Sequence, residues 1–140
     1  MVGQTEGPVT LEVEKGQIRR FAVAIGETHP IHLDEAAARA AGYRSLVATP
    51  TFGAALIDLQ PLLARLGLSP TGLLHAEEEY EYFRPICAGD AVTVVHRVVD
   101  AYEKQNPKGA MLFLVVETRA TDAGARDLFK GRRVLVEAKA

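Results

Sequence analysis

The chain has 140 residues, 48% hydrophobic and 24% charged, with 16 Lys+Arg against 18 Asp+Glu for a formal charge of −2. That is one globular domain with enough apolar residues for a core, and its charge offers no electrostatic case for nucleic acid or an anionic membrane. No apolar run approaches the roughly 18 residues that span a bilayer, MVGQTEGP lacks the basic region and apolar core of a secretory signal, and the lone Cys87 excludes an internal disulfide or a CxxC site. A cytoplasmic chain is expected.

Residues 1–7 read as a flexible tail and 8–140 as one domain. Val9–Val13 alternates like a short strand. Ile18, Phe21, Ala22 and Ile25 then fall at the spacing of one helix face, closed by Gly26. ETHPIHL is a loop, because Pro30 disfavours helical geometry at His29. Asp34 caps a second short helix that Gly42 stops. Thr49 and Pro50 open PTFGAALIDLQPLLARLGL, which reads as one long helix buried nearly all round, kinked or split at Pro61.

Beyond Gly72 the period changes. Leu73–Phe83, Ala91–Tyr102, Ala110–Ala120 and Leu128–Ala138 are rich in Val, Tyr, Phe and Thr and are separated by turn-like segments. AMLFLVVET is apolar on both faces, as a central strand covered on both sides would be. Helices first and a strand meander second predict an α+β domain, one antiparallel sheet wrapped around one helix. His75 and His96 are expected on the sheet surface, Glu77-Glu78-Glu79 on a solvated strand edge, and Cys87 to be inert.

Three segments, AIGETHPIHLDEAAARAAGY, LVATPTFGAAL and FRPICAGDAV, together resemble the MaoC-like hydratases and dehydratases, more closely their FAS1-like (MaoC amino-terminal) branch. The resemblance covers nearly the whole chain. It implies a single hot dog domain, with a long antiparallel sheet around a central, mostly apolar helix. The implied activity interconverts trans-2-enoyl and 3-hydroxyacyl thioesters of coenzyme A or an acyl carrier, as in fatty acid metabolism, without metal or cofactor. The implied assembly is a homodimer, or a heterodimer with a second hot dog subunit, carrying the acyl site at the interface.

On the family's catalytic motif, the Asp falls on Glu27, the Asn on His29, the Pro on Pro30 and the His on His32. The family's Gly, whose N–H polarises the thioester carbonyl, falls on Pro50, which has no N–H. Hydration needs a base to activate water for attack at C3, a proton for C2 and donors for the enolate oxygen. Glu27 and His32 are the expected acid–base pair, with His32 before a helix amino terminus whose dipole disfavours the imidazolium. The N–H groups of Thr51 and Phe52 and the Thr49 hydroxyl are the expected replacement donors. His29 shapes the loop, and Tyr43 lies with Leu56 and Leu59 where acyl length would be set. Three readings follow: an active hydratase or dehydratase, a non-catalytic partner subunit that walls the acyl pocket, and a thioesterase. The last has only Asp58 on the long helix, with no thioesterase motif around it.

Overall fold

Pairing begins earlier in the chain than the composition of the amino terminus suggests. Strand β1 runs Thr5–Glu12, and Gly3 N–H donates to Val98 O while Val98 N–H donates to Gln4 O. Residues 5–7, expected in a loose tail, therefore belong to the sheet. The computed structural model describes residues 1–139.

Helix α1, Lys15–Ala24, opens with reciprocal bonds between Glu14 and Gln17, and buries Ile18 and Ala22. Gly26 ends it at φ +75°, a conformation glycine adopts without strain. The segment Pro30–His32 makes a single 3₁₀ turn. Helix α2, Glu35–Ala40, is capped by Asp34, whose carboxylate accepts from Ala36 and Ala37 N–H.

The long helix expected over Pro50–Leu68 is not continuous. Phe52–Leu56 is a 3₁₀ turn, Ile57 is extended, and helix α3 covers only Gln60–Arg65. Pro61 sits in the first turn of α3, where its missing N–H costs no hydrogen bond. Asp58 Oδ1 accepts Gln60 N–H at 3.0 Å, which helps to start the new helix. The break thus comes before Pro61, at a carboxylate that competes for backbone amides.

Strands β2 (Leu73–Tyr82), β3 (Ala91–Asn106), β4 (Gly109–Thr121) and β5 (Asp127–Ala138) complete an antiparallel sheet of order β1-β3-β4-β5-β2. β4 is central, as its sequence predicts, and Leu114, Val115 and Val116 are all buried. The two halves of the broken helix head two separate cores. Phe52 and Leu56 cluster with Val92, Val94, Ala120 and Phe129. Leu59, Leu62 and Leu63 cluster with Val98, Leu114, Val116 and Leu135.

A polar band crosses the sheet between these cores. His96 on β3 pairs in register with Thr118 on β4, which pairs with Gly131 on β5, which pairs with Tyr80 on β2. His96, expected at the surface, is only 2% exposed. Its Nδ1 lies 2.8 Å from Thr118 Oγ1, and burial lowers its pKa, with Arg133 acting in the same direction. His75 is exposed as expected. Glu78 departs from the expected solvated edge, because Arg133 donates to both its oxygens at 2.7 and 2.8 Å and Tyr80 also donates to it. Burial alone would raise the Glu78 pKa, but these donors outweigh it and the net shift is downward. Glu77 and Glu79 point the other way and are exposed.

Candidate active site

Pro30 creates the site's first feature by forcing a tight turn after His29. His29 Nδ1 accepts Ile31 N–H at 3.3 Å, and the turn brings His32 inward until it is 8% exposed. His32 Nδ1 lies 2.6 Å from the carbonyl oxygen of Val47. A carbonyl can only accept, so Nδ1 carries the proton and Nε2 is the acceptor of the neutral ring. The same turn is tied to the following loop by Val47 N–H donating to Ile31 O.

His32 lines a cleft of about 410 Å³ together with Thr49, Pro50, Tyr82, Phe83 and Arg84. Thr49 is 1% exposed and its hydroxyl has no hydrogen-bond partner among the described residues. Tyr82 donates from its hydroxyl to Pro50 O at 2.5 Å, fixing the loop to strand β2. Burial raises the Tyr82 pKa. Phe83 is 45% exposed, so the cleft opens beside the end of β2, an edge strand of the sheet.

Of the expected site residues, the fold brings His32 and Thr49 to this cleft and leaves the others outside its lining. Glu27 turns its carboxylate onto its own loop, where Oε1 accepts His29 N–H at 2.8 Å and Thr28 N–H at 2.9 Å. These two bonds, His29's the larger effect, hold its pKa below the usual carboxylate range, with the nearby imidazoles adding to the shift. His29 is exposed, as a loop-shaping residue, with its ring centroid 6.0 Å from that of His32. Tyr43 is half-buried beside α2, its N–H donating to Ala38 O.

Of the expected replacement donors, the Thr49 hydroxyl lies at the cleft and the two backbone N–H groups are placed differently. Phe52 N–H is already used, donating to Thr49 O at 3.0 Å. Its ring lies in the core, edge-on to Phe21 with centroids 5.5 Å apart. Thr51 is exposed and outside the cleft lining. Tyr82, Phe83 and Arg84 were missed as cleft residues. Phe83 and Arg84 open the motif segment FRPICAGDAV and Tyr82 directly precedes it, so proximity to that segment was the available signal.

A family model described as "FAS1-like, dehydratase domain region" matches residues 1–129. The chain belongs to this family. Among curated proteins, a UPF0336 protein of Streptomyces griseus is 37% identical over 107 residues, covering 69% of this chain and 68% of that protein. A UPF0336 protein of Clavibacter michiganensis is 42% identical over 85 residues, covering 58% of this chain and 57% of that one. Among solved structures, a MaoC-like dehydratase superposes with a TM-score of 0.86 at 25% identity, covering 99% of this chain and 42% of that one. One chain of the C-terminally truncated HadBC (3R-hydroxyacyl-ACP dehydratase) complex from Mycobacterium tuberculosis gives 0.82 at 23% identity, covering 96% of both chains. The fold is therefore the hot dog fold of these dehydratases. No helix among the described residues is long and apolar enough to cross a membrane.

Proposed function

We propose that this FAS1-like dehydratase chain is a subunit of a hydratase or dehydratase that interconverts trans-2-enoyl and 3-hydroxyacyl thioesters. It seats the thioester in the His32 cleft, and a second hot dog chain completes the hydration centre. In the hydration direction, water adds its oxygen to C3, one proton goes to C2, and the thioester oxygen carries the enolate charge between the two events. His32 Nε2 is suited to accept the proton of that water. The Glu27 carboxylate carries the subunit reading: it is engaged by Thr28 and His29 N–H and does not line the cleft. Pro50 has no N–H for the enolate oxygen, and loss of one such donor costs on the order of 100- to 1,000-fold in rate. The cleft opens at the free edge of β2, where an added chain would supply the missing wall and donors. The HadBC 3R-hydroxyacyl-ACP dehydratase, one of whose chains shares this fold, is likewise named as a complex.

A self-sufficient hydratase is the second reading, favoured by the free Nε2 of His32 and by the place of Glu27 on the same short loop, where its carboxylate bonds His29 N–H. One experiment separates them. The purified chain is assayed with short and medium trans-2-enoyl-CoA, and binding of the saturated acyl-CoA is measured in parallel. The subunit reading expects binding without turnover above background, with binding weakened in His32→Ala. Turnover by the chain alone that disappears in both His32→Ala and Glu27→Gln replaces it with the self-sufficient hydratase. A folded chain that neither binds nor turns over acyl-CoA overturns both.

A further inference from the structure

A second cleft, of about 640 Å³, adjoins the His32 cleft and shares Arg84 and Pro85 with it. Three guanidiniums line it, from Arg44, Arg84 and Arg126, against the two carboxylates of Asp90 and Asp122. The lining therefore carries a net positive charge in a chain whose formal charge is −2. Backbone amides hold both carboxylates in place. Asp90 Oδ2 accepts Cys87 N–H at 2.9 Å. Asp122 Oδ1 accepts Gly124 and Arg126 N–H, both at 2.9 Å, in the turn between β4 and β5.

The carboxylates in turn aim the guanidiniums. Arg44 reaches Asp90 at 2.7 Å, while Arg84 and Arg126 share Asp122 at 2.8 and 3.0 Å. Arg84 also donates twice to Asp127 O, at 3.2 and 2.8 Å, which leaves it firmly placed between the two clefts. Arg44 and Arg126 remain 73% and 74% exposed, and their pairing with carboxylates uses only part of the five N–H donors of each guanidinium. Preorganised, partly free guanidiniums at a cleft are a seat for a phosphate, which they can engage in paired, charge-assisted bonds.

We propose that this arginine-lined cleft binds the phosphate of the phosphopantetheine arm of the thioester whose acyl end lies at His32. The proposal rests on the acyl-thioester reading of the His32 cleft. A thioester seated there must lead its sulfur-side arm out, and the arm of coenzyme A and that of an acyl carrier protein share the same phosphate ester. The cleft beyond Arg84 offers the positive charge that arm requires.

The test compares binding of phosphopantetheine and unphosphorylated pantetheine by calorimetry, to the wild-type chain and to Arg44→Glu/Arg126→Glu. Both arginines are exposed enough for the variant to fold, which circular dichroism checks. The wild type is expected to favour the phosphorylated arm by about tenfold, with the preference shrinking as salt is raised and vanishing in the variant. Equal binding of the two by the wild type, or a preference that survives in the variant, overturns the proposal. An acyl-N-acetylcysteamine thioester, which lacks the phosphate, keeps this result apart from the reading on which it rests. If that thioester binds in a His32-dependent way while phosphate adds nothing, only the arginine cleft fails. If it does not bind, the acyl-thioester reading fails. With the phosphate preference present, whichever of acyl-CoA and the acylated carrier protein binds more tightly identifies the source of the arm, and the charge reversal weakens it.

Discussion

Val47 decides the chemical state of His32. By accepting from Nδ1, its carbonyl fixes the tautomer and leaves Nε2 as the basic nitrogen. Glu27 is held by its own loop, whose Thr28 and His29 amides both donate to Oε1. Thr49 lies between these cases: its hydroxyl is buried without a partner among the described residues, a state that costs about 1–3 kcal/mol in a folded protein. Replacing it with the isosteric Val removes that cost. Thr49→Val is therefore expected to raise stability by about 1 kcal/mol, read as an increased denaturant midpoint at unchanged slope. A lowered midpoint would show that the hydroxyl has a partner in solution. The inward turn of His32 was legible from the motif, because Pro30 fixes the turn that aims it. The bonding of Glu27 Oε1 to its own loop was not, because hydrogen bonds over one or two residues depend on torsions that residue types leave open.

The break in the central helix is the feature that organises the larger elements. Asp58 and the extended Ile57 separate a 3₁₀ turn from α3, and each piece packs on its own apolar cluster. Beneath the gap runs the band from His96 through Thr118 to Arg133 and Glu78, whose polar groups are satisfied across strands. Gly53 permits the close contact of the 3₁₀ turn with β2. A Cβ there would lie 2.7 Å from Tyr80 Cε1 and 3.2 Å from the Tyr82 hydroxyl. The Tyr80 ring cannot yield freely, because its hydroxyl donates to Glu78 and its face meets Tyr82 and Phe129. Gly53→Ala is expected to destabilise the fold by about 1–3 kcal/mol, measured by chemical denaturation. An unchanged midpoint would mean that the turn and β2 are not in contact. Apolar periodicity predicted one long helix kinked or split at Pro61, but it registers only burial, and the chain breaks earlier, at Ile57 and Asp58, while burying the same face.

At the scale of the molecule, two carboxylates join elements distant in sequence. Glu35 gathers Lys15 from α1, Arg39 from α2 and Ser45 from the following loop. Its pKa falls from 4.5 to about 2, chiefly through the bond from Lys15 and then that from Arg39. Asp122 joins Arg84 to the β4–β5 turn and falls from 3.8 to about 2, chiefly through Arg126 N–H. A carboxylate with a depressed folded-state pKa stabilises the fold above its unfolded value and loses that contribution as pH falls through the folded one. The thermal midpoint is therefore expected to decline from about pH 4.5 toward pH 2, and Glu35→Gln to flatten the upper part of that decline. Because these groups are partly solvated, added salt should shrink the difference. A Glu35→Gln curve parallel to the wild type throughout would exclude Glu35 as a source of acid sensitivity.

The amino-acid sequence by itself determined the elements whose causes are local. Alternating Val-rich stretches made strands, Asp34 and Gly26 set helix ends, and Pro30 turned the His32 loop, because each depends on torsional preference or on a spacing of a few residues. It also carried the family, since three motif segments lie in the right order along the chain. Tertiary structure decided which of the motif's groups meet. Val47 fixes the tautomer of His32, Tyr82 and Arg84 arrive from the end of β2 to wall its cleft, and Asp122 swings Arg84 and Arg126 onto a second one. Apart from Asp122 and Arg126, which share one turn, those encounters join residues well separated in sequence, and only the register of the sheet and the packing of the loops bring them within bonding distance.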